Sequence, residues 1–410
     1  MKIFKPADIL MPDVENLTAW SVVACDQFTS DLDYWKTVYD IAGDKPSAVR
    51  LIIPEAELSY KDADEESKKI YQTMSEYLAS GVFKEYKDAF VIVERKLDCG
   101  KLRRGVVGKI DLEAYDWKDD CDAPIRATEH TVEDRLPPRI KVRQQALIEM
   151  PHIMLFIDDP ADSIIGSAEK GEMIYDFELM QKGGHIRGWL AKDSDKLAAA
   201  FESLADENEV KSKYGDVDNP IIFAMGDGNH SIAAAKKFWM SVKAELPEAE
   251  WDTHPARYAL AEVINIHDTA IDFEPIHKVI FETDADAFIE KAEAYMGNDA
   301  DGDKEIVLVT AEGSKKLCIS GLTIGELIGK CEDFCVSYTK EFGGYIDYIH
   351  GDEECVGFAS KQGNAGILLP RMEKSELFTS VMHSGSFPKK SFSIGHGPDK
   401  RYYLECRKIK

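Results

Sequence analysis

Short apolar runs alternate with longer amphipathic segments along the chain, a pattern typical of proteins that mix strands and helices. Strands are predicted at 20–25, 51–54, 90–95, 104–112, 151–157, 221–225, 258–268, 305–310 and 316–320. Helices are predicted at 62–80, 194–213, 231–239, 284–295 and 323–338. The expected fold class is therefore α/β or α+β, with mixed sheets and surrounding helices.

The clearest pattern lies in residues 219–239, where a strand, a tight polar turn and a helix are predicted in succession. The apolar run 221–225 is short and lies between a proline and a glycine, which is typical of an interior strand. Gly226 and Gly228 permit positive φ and close approach of the backbone, and Ser231 is expected to cap the helix. Such a turn directs unpaired N–H groups outward and suits an anionic ligand.

A basic segment at 125–143 contains four arginines and one lysine. Because two adjacent prolines interrupt it, we do not expect one solvated helix face. Guanidinium groups bind phosphate or carboxylate bidentately, so Arg126, Arg135 and Arg139 are candidate anion ligands. The alternative is that they pair with acidic neighbours in the same segment, which include Glu129.

Several polar residues end predicted strands and have competing interpretations. Asp26 is either a functional carboxylate or a turn residue. Asp158 and Asp159 form either a divalent-cation corner or an ordinary turn. His267 and His277 can relay protons or bind metal, but they also suit structural hydrogen bonding.

For a basic loop and a pair of cysteines near the end of the chain, we prefer a structural interpretation to a ligand-binding one. The basic, hydroxyl-bearing loop at 385–395 is either a second anion contact or, as we prefer, an exposed loop. Cys331 and Cys335 lie one helical turn apart, and we interpret them as core residues rather than metal ligands.

Composition narrows the function classes. The chain has 410 residues and a net charge of −25, so length suggests two or three domains and charge argues against nucleic-acid or anionic-membrane partners. We find no apolar stretch near the roughly 20 residues of a membrane helix and no signal-peptide core. The eight cysteines are dispersed, as expected for reduced thiols. We expect a cytoplasmic protein.

The chemistry of the turn favours phosphoryl transfer. The sequence lacks the P-loop, nucleophile-elbow, zinc-protease and dinucleotide-binding motifs. Asn229 and Ser231 can hydrogen-bond a phosphate, and His230 can supply an imidazolium. Asp227 would repel the phosphate unless a divalent ion or a hydroxyl lies between them, which is typical of phosphoryl-transfer sites.

At this point the sequence resembles a bacterial and archaeal family catalogued as domain of unknown function 1015. The resemblance runs nearly end to end and rests on FKPADIL (4–10), VACDQFTS (23–30), IRATE (125–129), DRLPPR (134–139), MGDGNHS (225–231) and FEPIH (273–277). The family is distantly similar to the ParB, sulfiredoxin and free-serine-kinase superfamily. Members of that superfamily bind nucleotide phosphates with an Asp-Gly-x-x-Arg turn that opens a helix.

The resemblance implies a central ParB/serine-kinase-like region at 125–282, flanked by an N-terminal α/β region at 1–124 and a C-terminal α+β region at 283–410. It places residues 227–231 on the phosphate-binding turn and suggests Glu129 as the acidic base. The arginine that commonly closes the turn is Ser231 here, so the positive charge must come from elsewhere. The expected catalytic residues are Glu129, Asp227 and His230, and the expected phosphate-binding residues are Gly226, Gly228, Asn229, Ser231, Arg126, Arg135 and Arg139.

Three hypotheses follow. The first is a phosphoryl-transfer enzyme acting on a small hydroxylated metabolite such as serine or phosphoserine, with Mg²⁺ and ATP or ADP as cofactors. The second is a nucleotide- or metabolite-binding regulator without catalysis. The third is a structural turn in which Asp227 caps the helix and Asn229 satisfies buried backbone. The expected partner is a small phosphorylated metabolite or a nucleotide, and the sequence assigns no metal ligands.

Overall fold

A computed structural model describes residues 2–24, 28, 31–57, 60–118, 121–150 and 152–410. Its α-helices are α1 Leu17–Trp20, α2 Leu32–Ala42, α3 Ala63–Ala79, α4 Leu136–Gln145, α5 Ser194–Glu202, α6 Glu207–Tyr214, α7 Asn229–Lys243, α8 Phe288–Met296, α9 Ile324–Phe342, α10 Asp352–Ala359 and α11 Glu376–Ser384. The expectation for Asp26 lies outside the described residues.

The strands of the first two thirds of the chain are β1 Phe4–Lys5, β2 Ala7–Pro12, β3 Phe83–Ala89, β4 Val91–Lys96, β5 Leu102–Asp111, β6 Tyr115–Asp116, β7 Ile125–Arg126, β8 Ile148–Glu149, β9 Met154–Ile157, β10 Lys170–Glu178, β11 His185–Ala191, β12 Phe223–Asp227 and β13 Tyr258–Asn265. They are followed by β14 Phe273–Phe281, β15 Lys304–Thr310, β16 Gly313–Ile319, β17 Tyr345–His350, β18 Ala365–Leu368, β19 Phe392–Ile394 and β20 Arg407–Lys408. Strands and helices are mixed throughout, as the sequence predicted.

The larger sheet has the strand order β10-β11-β4-β5-β13-β9-β12-β7-β6, with β1 added beside β5. The sheet is mixed: β12 runs parallel to β7 and antiparallel to β9, while β9 runs parallel to β13. Phe223, Ala224 and Met225 of β12 are buried, and the strand has a neighbour on each side. The prediction of an interior strand before the polar turn is therefore confirmed.

The smaller sheet has the order β16-β15-β18-β14-β17, and β19 pairs with the first part of β14. Helix α9 packs against it through a buried face that includes Cys331 and Cys335. Burial raises the pKa of both thiols, which agrees with the interpretation of these residues as core. The seven cysteines that the structure describes are free thiols.

Several local predictions are confirmed. Helix α3 begins after Asp62, whose carboxylate accepts hydrogen bonds from the N–H groups of Asp64 and Glu65. Strands β4 and β5 form the expected antiparallel pair. As a separate finding, the part of the chain that the structure describes contains no helix that is both long and apolar enough to cross a membrane.

Other predictions are wrong in informative ways. The apolar run at 51–54 is not a strand, because Ala48–Leu51 forms a 3₁₀ turn. Within 20–24, the described part of the strand expected at 20–25, the structure has the end of α1 and an isolated bridge between Val22 and Tyr403. The helix expected at 194–213 is divided in two, since the Asp206 carboxylate caps a new helix, α6.

The two prolines of the basic segment also act differently from the expectation. They occupy the first turn of α4, where a missing N–H costs nothing, and therefore start a helix rather than interrupt one. This helix carries Arg139 and Arg143. The basic segment is thus partly helical after all.

Candidate functional site

The strand β12 passes into helix α7 through a turn that requires glycine at two positions. Gly228 is the N-cap residue and has a φ of 88°, in the left-handed region. A Cβ atom on Gly228 would lie 3.0 Å from Ile153 Cα, and one on Gly226 would lie 2.9 Å from the Phe156 ring. With Gly228 as its N-cap, the helix begins at Asn229, two residues earlier than predicted. Ser231 lies in its first turn and is not the cap.

A cavity of about 400 Å³ opens directly over this turn, and residues 226–231 all line it. Thr128 and Glu129 form part of the wall beside β12, and Arg139 reaches it from α4. The opposite wall comes from the smaller sheet, which contributes Ile276, His350 and residues 392–394. The cavity thus lies between the two sheets and draws on residues from beyond the central region expected at 125–282.

The Asp227 carboxylate accepts one hydrogen bond and faces one ammonium group. Its Oδ1 accepts the Gly228 N–H at 2.7 Å, and Lys400 Nζ lies 3.4 Å from its Oδ2. Burial opposes ionisation, but the charges of Lys400 and His152 and the Gly228 N–H together hold the pKa of Asp227 below its ordinary value. A carboxylate with a lowered pKa is a poor proton acceptor near neutral pH.

His230 holds the neighbouring segment in place. Its Nε2 accepts the Val132 N–H at 3.3 Å. The same segment is fixed from both sides, because Thr128 Oγ1 donates to Met225 O at 2.8 Å and the Phe387 N–H donates to Thr128 O at 2.7 Å. These bonds place Glu129 at the cavity.

The described residues that line the cavity include the cations Arg139, Lys390 and Lys400 and the carboxylates Glu129 and Asp227. In a chain whose net charge is −25, this is a local excess of positive charge. Lys390 has a φ of 56°, which is uncommon for a residue with a side chain and marks a constrained position. The lining therefore suits an anionic ligand.

The three arginines predicted to bind the anion have different positions relative to the cavity. Arg139 lines the cavity, and its Nη1 also donates to the Arg135 carbonyl oxygen at 3.0 Å. Arg126 is buried, and its guanidinium donates to the carbonyl oxygens of Ala123 at 2.8 Å and Asn219 at 2.6 Å. Neither Arg126 nor Arg135 is among the lining residues.

The acidic strand end at 158–159 has ordinary turn chemistry. Asp159 accepts hydrogen bonds from Ser163 Oγ at 3.0 Å and from the Ile164 N–H at 2.8 Å. Asp158 Oδ1 lies 2.6 Å from His267 Nε2, so this histidine is engaged by a carboxylate outside the cavity lining. His277 is likewise engaged, with its Nε2 2.9 Å from Asp352 Oδ1.

Magnesium is usually held by one or two carboxylates together with substrate phosphates. Asp227 Oδ1 accepts the Gly228 N–H, and Asp227 Oδ2 faces the Lys400 ammonium without a hydrogen bond. In the described ranges, no three His, Cys, Asp or Glu side chains are placed to hold a metal ion. We derive no step through a metal.

Sequence reasoning missed several lining residues. Lys390 and Ser393 belong to the basic loop at 385–395, for which an exposed loop was the preferred interpretation, so composition gave a usable signal there. His152 and Lys400 gave none, because each reaches the cavity from a segment without a recognisable motif.

Comparison with known proteins adds a family match. A family model described as "Protein of unknown function (DUF1015)" matches residues 4–343. No curated protein matches the chain. The match ends before the segments that supply His350, Lys390 and Lys400.

Similar solved structures are distant. A free serine kinase variant in complex with ADP has a TM-score of 0.39 and 11% identity, covering 75% of this chain and 93% of that one. SbnI with a C-terminal truncation from Staphylococcus aureus has a TM-score of 0.37 and 11% identity, with coverages of 74% and 87%. A conserved hypothetical protein from Pyrococcus furiosus has a TM-score of 0.34 and 12% identity, with coverages of 74% and 94%. At such scores nothing about the site follows from the similarity.

Proposed function

The chain belongs to the family described as protein of unknown function DUF1015, and we propose that it is a phosphoryl-transfer enzyme. The substrate is a small hydroxylated metabolite, with serine or phosphoserine as the first candidates, and a nucleotide such as ATP or ADP is the exchange partner. One observation carries the proposal: the N-terminus of α7 and the cations Arg139, Lys390 and Lys400 all face one cavity of about 400 Å³.

The phosphate binds at the start of α7. The first hydrogen bond within the helix runs from the Ile232 N–H to Gly228 O at 3.0 Å, so the N–H groups of residues 229–231 precede it. A helix N-terminus carries a partial positive charge and suits phosphate. Because Gly226 and Gly228 have no side chains, the ligand can approach this backbone closely.

Glu129 is the proposed general base. It takes the proton of the attacking hydroxyl while the new bond between oxygen and phosphorus forms and the bond from phosphorus to the leaving oxygen breaks. The electron pair of the broken bond stays on the leaving oxygen. Arg139, Lys390 and Lys400 stabilise the charge on the transferring group and the leaving oxygen.

Asp227 and His230 have supporting roles in this proposal. Asp227 is ionised with a lowered pKa and orients the Lys400 ammonium instead of taking the proton. By accepting the Val132 N–H, His230 holds the segment that carries Glu129. The positive charge expected from His230 is supplied instead by lysine and arginine.

A second candidate is a nucleotide- or metabolite-binding regulator without catalysis. It is favoured by the surroundings of Asp227, because the Gly228 N–H and the Lys400 ammonium already face this carboxylate. Among the described lining residues, Glu129 is then the carboxylate left for proton transfer. The two candidates share a binding site and differ in turnover.

The test uses the purified full chain with serine and ATP or ADP, or with phosphoserine alone, each with and without Mg²⁺. Serine, phosphoserine, nucleotide and inorganic phosphate are quantified over time. Glu129→Gln should lower turnover by about 10²–10⁴-fold and retain ligand-dependent thermal stabilisation. Glu133→Gln is the matched control, since Glu133 is in the same segment but pairs with Lys237 outside the cavity lining.

The outcomes separate the candidates. Ligand-dependent stabilisation without turnover in any mixture supports the regulator and rejects the enzyme. Absence of both turnover and stabilisation rejects both candidates. Equal turnover in wild type and Glu129→Gln rejects Glu129 as the base.

A further inference from the structure

Two arginines face each other on the neighbouring strands β4 and β5. Arg95 and Arg103 are directly paired in the antiparallel register, and only 2% and 5% of their surfaces are exposed. Like charges directly opposite each other destabilise a sheet. Among the residues that the structure describes, neither arginine forms an ion pair with a carboxylate. Burial and the charge of Arg103 also lower the pKa of Arg95.

The two guanidinium groups donate to one short stretch of backbone near the C-terminus, and Arg95 Nε also donates to the Gly183 carbonyl oxygen at 2.9 Å. Arg95 Nη1 donates to the carbonyl oxygens of Lys400 at 2.6 Å and Asp399 at 3.2 Å, and its Nη2 donates to the carbonyl oxygen of Pro398. Arg103 Nη1 donates to Asp399 O at 2.6 Å. Three consecutive carbonyl groups therefore point at two cations.

The local geometry explains why these carbonyl groups converge. Residues Gly397–Asp399 form a 3₁₀ turn, and the last carbonyl groups of a helical turn lack partners within it. Cations are favourable beside such groups. The turn is closed at its other end by the His396 N–H, which donates to Asp399 Oδ2 at 3.0 Å.

The residue held at the end of this turn is Lys400. Its carbonyl oxygen is bound by Arg95, while its ammonium lies 3.4 Å from Asp227 Oδ2 and lines the cavity. The Arg95 side chain thus fixes the main chain of the residue whose side chain enters the site. Arg103 fixes the preceding carbonyl group.

We propose that Arg95 and Arg103 are positioning residues that hold the main chain at 398–400 so that Lys400 reaches Asp227 and the cavity. The identity of the ligand that Lys400 binds rests on the proposed function, whereas the role of the two arginines in placing Lys400 does not. The competing explanation is that the two arginines only attach the C-terminal segment to the sheet. A buried charge is expensive to retain for attachment alone, since apolar side chains of similar size often serve as well or better.

The first measurement is amide hydrogen exchange of the segment 396–401 in the full chain. Arg103→Met should raise its exchange rate at least tenfold, and Arg103→Lys, which keeps a cation and a donor, should recover most of the protection. Arg104→Met is the matched control, since Arg104 is adjacent on β5 but pairs with Asp162. Unchanged exchange at 396–401 in Arg103→Met overturns the proposal. Arg95→Met should raise the exchange rate of the same segment, and Arg95→Lys replaces this variant if Arg95→Met does not fold.

The second measurement is a double-mutant cycle on the binding of ADP, followed by calorimetry. Arg103→Met and Lys400→Gln should each weaken binding by about tenfold, and the double variant should bind no more weakly than Lys400→Gln. If the double variant instead loses affinity by the product of the two single losses, Arg103 does not act through Lys400 and the proposal is overturned. If wild type binds neither ADP nor inorganic phosphate, the proposed function fails, and the same cycle is then followed as stability in urea at pH 7. Additive losses of stability in Arg103→Met and Lys400→Gln would mean that Arg103 does not act through Lys400 and would overturn the proposal.

Discussion

Lys400 Nζ lies 3.4 Å from Asp227 Oδ2, which joins the C-terminal segment to the end of β12. The pair makes Asp227 a partner of a cation rather than an unpaired carboxylate facing the ligand. It also means that the Lys400 charge is partly neutralised before an anion binds. The behaviour of the site therefore depends on this pair.

Replacing Asp227 with asparagine should strengthen the binding of an anion. Asp227→Asn removes a negative charge from the cavity and leaves the whole Lys400 charge to the ligand. We expect calorimetry with ADP or inorganic phosphate to show affinity higher by about threefold to tenfold, on the order of 1 kcal/mol. Asp216→Asn is the control, since Asp216 forms an exposed pair with Lys211. Weaker binding would instead show that Asp227 interacts favourably with the ligand.

Replacing Gly228 with alanine should lower the free energy of unfolding by more than the strain of a left-handed backbone accounts for. Gly228→Ala combines a φ of 88° with a Cβ placed 3.0 Å from Ile153 Cα, whereas Gly297 has a φ of 84° and nothing within 4 Å of an added Cβ. We expect Gly297→Ala to destabilise by about 1–2 kcal/mol and Gly228→Ala by about 2–4 kcal/mol in urea unfolding. Equal losses would mean that β12 and β9 adjust to the added methyl group at no cost.

The turn itself was predictable because its determinants are local. A short apolar run, two glycines and an alanine-rich segment specify strand, turn and helix within about twenty residues. The first residue of the helix was missed, since Gly228 in a left-handed conformation takes the cap position that a serine usually fills. Side-chain capping preference therefore gave the wrong boundary in the correct element.

The walls of the cavity were less predictable because they depend on packing between distant segments. Nothing near Lys400 in the sequence indicates a site, and its placement depends on arginines from β4 and β5. The same limit applies to Arg126, whose guanidinium turns to the carbonyl oxygens of Ala123 and Asn219. Charge content indicated that arginines matter in this segment, but not which of them faces the ligand.

Lys390 and Lys389 are adjacent in the sequence and differ in their relation to the cavity. Both residues are exposed, but Lys390 lines the cavity, with its ammonium 5.4 Å from the centre of the Tyr348 ring, whereas Lys389 is not part of the lining. Lys390→Gln should weaken ADP binding by about threefold to tenfold, with a smaller loss at 0.5 M salt because salt screens the charge. Lys389→Gln should leave affinity within about twofold at both salt concentrations. Equal effects of the two variants would place the ligand elsewhere.

Glu149 provides a pH prediction for the segment that carries Lys400. Its Oε1 accepts from Arg407 Nε at 2.8 Å and from the Leu260 N–H at 2.8 Å, and Arg143 lies 2.6 Å from its Oε2. Burial alone would raise the pKa of Glu149, but Arg143 and Arg407 lower it below its ordinary value. A carboxylate with a lowered folded-state pKa adds stability above the unfolded value of about 4.3, and this stability is lost as the pH falls through the folded-state pKa.

Glu149→Gln should therefore destabilise the protein by about 3–5 kcal/mol at pH 7, because it leaves the buried Arg407 and the partly buried Arg143 without their carboxylate. The difference from wild type should stay constant down to about pH 5 and shrink below about pH 4, as the wild-type carboxylate is protonated. Urea unfolding at a series of pH values measures this difference, with Glu290→Gln as an exposed control that should change stability by less than about 0.5 kcal/mol. A difference that does not depend on pH would mean that the Glu149 charge contributes nothing and that only its shape is needed. Because Arg407 lies in β20, which pairs with β8, a loss of this ion pair should also raise hydrogen exchange in the C-terminal strand.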